Sequence, residues 1–297
     1  MTMPNFLIIG AAKSGTTALY HYMKQHPEIY MPSLKEAEFF AFEDEVLDFY
    51  GPGDMPRDSI TSLAAYQAQF QAVSGETAIG EASPVYLYSP KASERIHHHI
   101  PDAKLIAILR DPVERAYSQF LMFIRDGRET TFDFSTALRE EENRCGKGWA
   151  WGWRYMDLGF YYVQLKRYFD KFNSSQIKVY LYEDLSDRPM EVLQSIFQFL
   201  EVDESFTPDI STRHNISGMP KNKILHTFLT KQNLVKAALS PLLPGDLRKQ
   251  IVVKLKSQNF SKPQLSPEIR SQLVAVFRED TLQLQDLIQR DLSSWLV

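Results

Sequence analysis

Residues 10–17 read Gly10-Ala11-Ala12-Lys13-Ser14-Gly15-Thr16-Thr17. Two glycines and two alanines let backbone N–H groups approach a ligand closely, Lys13 adds a positive charge, and Ser14, Thr16 and Thr17 add hydroxyl donors. An apolar run at 5–9 precedes the loop and a helical pattern at 16–25 follows it. Strand, small-residue loop and helix N-terminus in series present aligned N–H groups and a positive dipole end to an anion. The spacing from Gly10 to Gly15 fits the first half of a Walker A loop, but Thr16 stands where that motif requires lysine. The plain alternative is a capped helix start with a surface lysine.

A second constellation lies at Leu109-Arg110-Asp111-Pro112-Val113-Glu114-Arg115-Ala116-Tyr117-Ser118. Asp111 suits an N-cap and Pro112 the first helical position, so Arg110 falls at a strand tip and Ser118 about two turns along the next helix. A guanidinium and a hydroxyl so placed can share one phosphate. The alternatives are an ion pair of Arg110 with Asp111 or Glu114 and a helix-surface serine. The shift of lysine to position 13 separates two chemistries. A triphosphate site needs a lysine on the terminal phosphates and an acidic magnesium partner. A phosphosulfate has less charge to neutralise, and Lys13 alone could meet the bridging oxygen of its leaving group.

The loop at 13–17, with Arg110 and Ser118 eight residues apart, resembles the 5'-phosphosulfate loop and the 3'-phosphate motif of sulfotransferases that use 3'-phosphoadenosine 5'-phosphosulfate (PAPS). Further similarity runs through Lys35-Glu36-Ala37-Glu38-Phe39-Phe40, Glu81-Ala82-Ser83-Pro84-Val85-Tyr86, Gly159-Phe160-Tyr161, Tyr182-Glu183-Asp184-Leu185 and Arg290-Asp291-Leu292-Ser293-Ser294-Trp295. Within the family it is most similar to the heparan-sulfate-type and bacterial branch, including sulfotransferase modules of polyketide synthases. The resemblance implies that Lys13, Ser14, Gly15, Thr16 and Thr17 hold the 5'-phosphosulfate, that Arg110 and Ser118 hold the 3'-phosphate, and that no metal takes part. It implies that Lys221 and Lys223, in Gly218-Met219-Pro220-Lys221-Asn222-Lys223, replace the Lys-Gly-Arg loop that closes over the nucleotide in glycan-modifying relatives. It also makes Glu36, beside Lys35, the general base that takes the acceptor proton. A Lys35–Glu36 surface ion pair is the bland reading. His214, just before the closing loop, is the competing base, since histidine titrates near neutrality. Rival functions are a P-loop kinase or NTPase, and a nucleotide-binding regulatory module without chemistry.

These groups need a scaffold. Apolar runs at 5–9, 78–81, 104–109 and 177–182 alternate with helical patterns at 16–25, 63–72, 112–125, 160–172 and 190–200, and a capped helix from Ser266-Pro267 runs to about Arg290. This alternation predicts an α/β fold, a P-loop-like doubly wound parallel sheet flanked by helices, as one domain over 1–297. The acidic stretch 39–60 reads as a surface excursion. Trp149, Trp151 and Trp153 form a packed loop or one wall of an acceptor pocket. Residues 213–256 carry nine Lys or Arg against one acid, Asp246, as solvated helix faces or as an anion-facing rim. His97, His98 and His99 read as a helical surface run, because consecutive positions do not share a helix face. With 297 residues and a net charge of -4, the chain has no overall pull toward nucleic acid. Its one cysteine, Cys145, needs no oxidising compartment, so a cytoplasmic setting is expected and a disulfide-bearing Golgi glycan enzyme is disfavoured. No run reaches the roughly 18 apolar residues of a membrane span. The acceptor, a hydroxyl or an amine, is left open among small metabolites, glycans, lipids and carrier-bound acyl chains.

Overall fold

The computed structural model describes residues 2–53, 59–211, 219–220, 260–261 and 263–297. Five parallel strands, β1 (Phe6–Gly10), β2 (Ile29–Tyr30), β3 (Ala78–Ala82), β4 (Lys104–Leu109) and β5 (Ile177–Leu181), stand in the order β2-β3-β1-β4-β5. The central strand FLIIG is buried at every position, as an unalternated apolar strand covered on both faces must be. Its successive side chains divide between two cores. Leu7 and Ile9 join Leu105, Leu109, Phe40, Tyr86 and Tyr168 on one face. Phe6 and Ile8 join Ile106, Leu19, Ile196 and Phe197 on the other.

The helices that build these faces are α1 (Thr16–Met23), α2 (Phe39–Phe42), α3 (Leu63–Ala68), α4 (Val85–Tyr88), α5 (Ala92–His99), α6 (Pro112–Arg125), α7 (Phe134–Arg139), α8 (Glu141–Gly146), α9 (Tyr161–Phe169), α10 (Tyr182–Asp187) and α11 (Pro189–Leu200), with a C-terminal helix at Pro267–Ile288. A third core joins α6 and α7 to that last helix through Phe120, Phe134, Trp153, Tyr155 and Phe277. Ile8 pairs with Ala82 and Leu109 with Leu181. The loops leaving β1, β3, β4 and β5 therefore emerge on one edge of the sheet, where doubly wound proteins hold ligands.

The α/β architecture agrees with the sequence expectation, with three corrections. Strand β2, only two residues long, falls below the length at which an apolar run stands out. The 39–60 stretch does not begin on the surface, since Phe39 and Phe40 are fully buried, Phe39 stacked on Tyr66 and Phe40 edge-on to it. His99 turns inward from the histidine run and pairs with Glu43 at 2.6 Å, while His97 and His98 are exposed. Of the tryptophans, Trp153 is buried and packs on Phe123, and Trp151 packs against the first core.

Candidate functional site

The loop after β1 is bound to the sheet by Ala11 N–H donating to Ile108 O at 2.7 Å. Two positive φ angles then turn the chain into α1, 68° at Lys13 and 95° at Gly15. A Cβ at Gly15 would stand 3.1 Å from Leu185 Cδ2 and 3.4 Å from Tyr182 Cδ2, so glycine is required by conformation and by space. Gly15 is the N-cap of α1 and supplies no side-chain cap, which leaves the first-turn N–H groups available to a ligand. Thr16 is buried and Thr17 half-buried. Ser14 is fully buried, and its Oγ has no hydrogen-bond partner among the described residues.

Lys13 reaches Met122 Sδ on α6 at 3.1 Å. Burial first, and then the neighbouring Arg125, hold its ammonium at a pKa of about 8, against the opposing pull of Asp126 and Glu36; Arg110 lowers it further. Both the carboxylate of Glu36 and the guanidinium of Arg110 are thus close enough to act on the Lys13 charge.

Arg110, one residue past β4, donates through Nη1 to Lys13 O at 3.4 Å and lies 3.5 Å from Glu114 Oε2. Its guanidinium sits 4.6 Å from the Tyr182 ring centroid. Asp111 caps α6 by accepting from Val113 N–H and Glu114 N–H. Arg270 of the C-terminal helix donates to Asp111 Oδ2 at 3.1 Å and to Glu114 Oε1. Glu114 is therefore shared between two arginines, which limits its neutralisation of Arg110. Ser118 is half-buried, about two turns along α6.

Glu36 lies in the loop before α2 with φ 65°. Lys35 Nζ donates to its carboxylate, and the two side chains are 17% and 33% exposed. The ion pair foreseen as the bland reading is therefore present, but it lies beside the charge of Lys13. His214, Lys221 and Lys223 fall outside the described residues. So does the 213–256 stretch apart from Met219–Pro220, whose backbone pairs antiparallel with Phe260–Ser261.

Sequence reasoning missed several neighbours. Arg125, at the end of α6, acts on the charge of Lys13, and Tyr182 lies under Arg110. Tyr182 sits inside a quoted motif, but nothing in its spacing pairs it with the distant Arg110. Arg115, fully buried, donates to Tyr155 O, with Nε and Nη1 unsatisfied among the described residues. Glu81 is fully buried at the end of β3, and burial pushes its carboxyl up to about 7, with Glu38 adding to that and Ser83, Tyr86 and Lys35 opposing it. Both belong to motifs already singled out, and their burial is the new information.

A lysine on a glycine-turned anion loop, an arginine at the adjoining strand tip and a carboxylate opposite them can bind two anionic groups and remove one proton. The chain is 28% identical over 313 residues to the mouse (Mus musculus) bifunctional heparan sulfate N-deacetylase/N-sulfotransferase 4, covering 99% of this chain and 31% of that protein. It is 24% identical over 306 residues to the membrane-associated sulfotransferase kil1 of Dictyostelium discoideum, covering 77% of this chain and 62% of that one. The chain thus spans less than two thirds of the length of these curated relatives. The crystal structure of a sulfotransferase from Alicyclobacillus acidocaldarius superposes with a TM-score of 0.78 at 35% identity, covering 99% of both chains. No helix among the described residues is long and apolar enough to cross a membrane. Residues 4–208, which hold Lys13, Glu36, Arg110 and Ser118, match the Sulfotransferase family, and the chain belongs to it.

Proposed function

We propose that this chain transfers the sulfuryl group of PAPS to an acceptor hydroxyl or amine by in-line displacement, with Glu36 as general base. The observation that supports this most is the convergence of Lys13, Arg110 and Glu36 on one sheet edge, with the ammonium of Lys13 desolvated and under the influence of both other charges.

The residues present suit the donor. Lys13, the backbone at Ser14 to Thr17 and the hydroxyls of Thr16 and Thr17 would hold the 5'-phosphosulfate, and Gly15 keeps that cradle open where a Cβ would press on Leu185. Arg110 and Ser118 would hold the 3'-phosphate, the arginine preset by stacking on Tyr182. Lys221 and Lys223 are proposed to close over the nucleotide. As the acceptor oxygen or nitrogen forms its bond to sulfur, Glu36 takes the acceptor proton. The bond from sulfur to the bridging oxygen breaks, and Lys13 meets the negative charge that develops on that oxygen. A cytoplasmic setting suits the single cysteine.

The test is transfer of label from radioactive PAPS to a panel of hydroxyl and amine acceptors, by wild type, Glu36→Gln and His214→Ala. The expected result is transfer by wild type and His214→Ala, with Glu36→Gln slower by about 10² to 10⁴ fold. An active Glu36→Gln with a dead His214→Ala would move the base to the histidine. PAPS binding without transfer to any acceptor would favour a regulatory module.

A further inference from the structure

Glu36 and Glu38 both have left-handed φ, 65° and 58°. Non-glycine residues rarely hold that conformation unless their surroundings impose it, and such strain gathers at functional sites. Here the restraint comes from the end of β3. Glu36 N–H donates to Ala82 O at 3.1 Å. Glu38 N–H donates to Ser83 Oγ at 2.9 Å, and the Ser83 hydroxyl in turn donates to Glu81 Oε1. A hydroxyl has one proton, so while Ser83 gives it to Glu81, its lone pairs remain turned toward Glu38 N–H. Glu81 thereby fixes the orientation of Ser83, and Ser83 fixes the loop. Both side chains are fully buried, where a lost partner is costly.

The groups around Glu81 complete the arrangement. Tyr66 of α3 donates to Oε2 at 3.5 Å, Tyr86 of α4 lies against the carboxyl, and Lys35 and Glu38 act on it from the loop with opposite signs. Lys35 thus serves two carboxylates, the buried Glu81 by its field and Glu36 by direct contact.

We infer that Glu81 and Ser83 are positioning residues, acting through the doubly left-handed 36–38 loop to hold the Glu36 carboxylate in place beside Lys13. The inference rests on Glu36 being the base, and the two stand or fall by different measurements.

The first measurement is a mutant cycle on turnover of PAPS to PAP with water as acceptor, using Ser83→Ala, Glu36→Gln and the double variant, with PAP affinity as a check on folding. Ser83→Ala should lower kcat about threefold to tenfold, the worth of one hydrogen bond, and leave PAP affinity unchanged. The double variant should be no slower than Glu36→Gln alone, because residues acting through one another are not additive. Glu81→Gln, which keeps an oxygen for the Ser83 hydroxyl, should retain most of the rate, whereas Glu81→Ala should behave like Ser83→Ala. Additive losses, or PAP affinity falling in step with kcat, would overturn the inference in favour of a general packing role.

The second measurement needs no turnover. A crystal structure of Ser83→Ala with PAP should show residue 38 out of the left-handed region and Glu36 displaced from Lys35; an unchanged loop overturns the inference. Unchanged turnover in Glu36→Gln, with the loop displaced in the Ser83→Ala crystal, would instead remove the base assignment and keep the clamp.

Discussion

At the scale of single residues, the proposed role of Lys13 makes it the group that should set the pH behaviour. Burial and Arg125 hold it at about 8, so an anionic ligand that needs the ammonium should lose affinity as pH rises beyond about 8. Calorimetry from pH 6.5 to 9.5 should show this for PAP in the wild type, and the slope should vanish in Lys13→Ala; a slope that persists would assign it to another group. The sign for stability is opposite. The folded pKa lies below the ordinary 10.5, so between about 8 and 10.5 the unfolded chain binds more protons at this site, and the unliganded protein gains stability there as pH rises. Lys13→Ala should remove that gain, read as the pH dependence of the urea midpoint. Arg110 has the narrower proposed role of holding the 3'-phosphate. Arg110→Ala should cost about 1.5 to 3 kcal/mol in PAP binding and much less for adenosine 5'-phosphosulfate, which has no 3'-phosphate. Equal losses for both nucleotides would reject the assignment.

At the scale of elements, the C-terminal helix reaches back to the start of α6 through Arg270, which holds Asp111 and Glu114. Without Arg270, Glu114 is free to pair fully with Arg110. Arg270→Ala should therefore weaken PAP about threefold to tenfold, on the scale of one exposed charge-assisted contact, with the loop around Lys13 intact. Unchanged affinity would mean that β4 and Tyr182 alone preset the guanidinium. Local chemistry is what the sequence made legible. A strand running into Lys13-Ser14-Gly15, and Asp111-Pro112 opening a helix, are short-range signals, and α6 occupies Pro112–Arg125 as read. What was not legible depends on elements distant in sequence. Arg125 near Lys13, Tyr182 under Arg110 and Glu81 near the Glu36 loop meet because the sheet order is β2-β3-β1-β4-β5, and nothing in their spacing encodes it. The buried start of the 39–60 stretch was hidden for the opposite reason, since its acidic and Gly/Pro-rich remainder masked the Phe39-Phe40 anchor.

At the scale of the whole molecule, the site exists because five parallel strands end on one edge, and β1 can hold the centre only where β3 lets it approach. A Cβ at Gly80 would stand 1.9 Å from Phe6 Cζ, so Gly80→Ala should overpack the β1–β3 contact and cost about 1 to 3 kcal/mol, measured by urea unfolding. A smaller loss would show that the Phe6 ring can turn aside. The central claim is that this edge binds a 3'-phosphorylated adenosine nucleotide without a metal. Calorimetric titration of the full chain with PAP, ATP and GTP, each with magnesium and with EDTA, tests it most directly. The account predicts tight PAP binding that EDTA leaves unchanged and much weaker ATP and GTP binding. Magnesium-dependent binding of ATP or GTP, with PAP weak or absent, would contradict it.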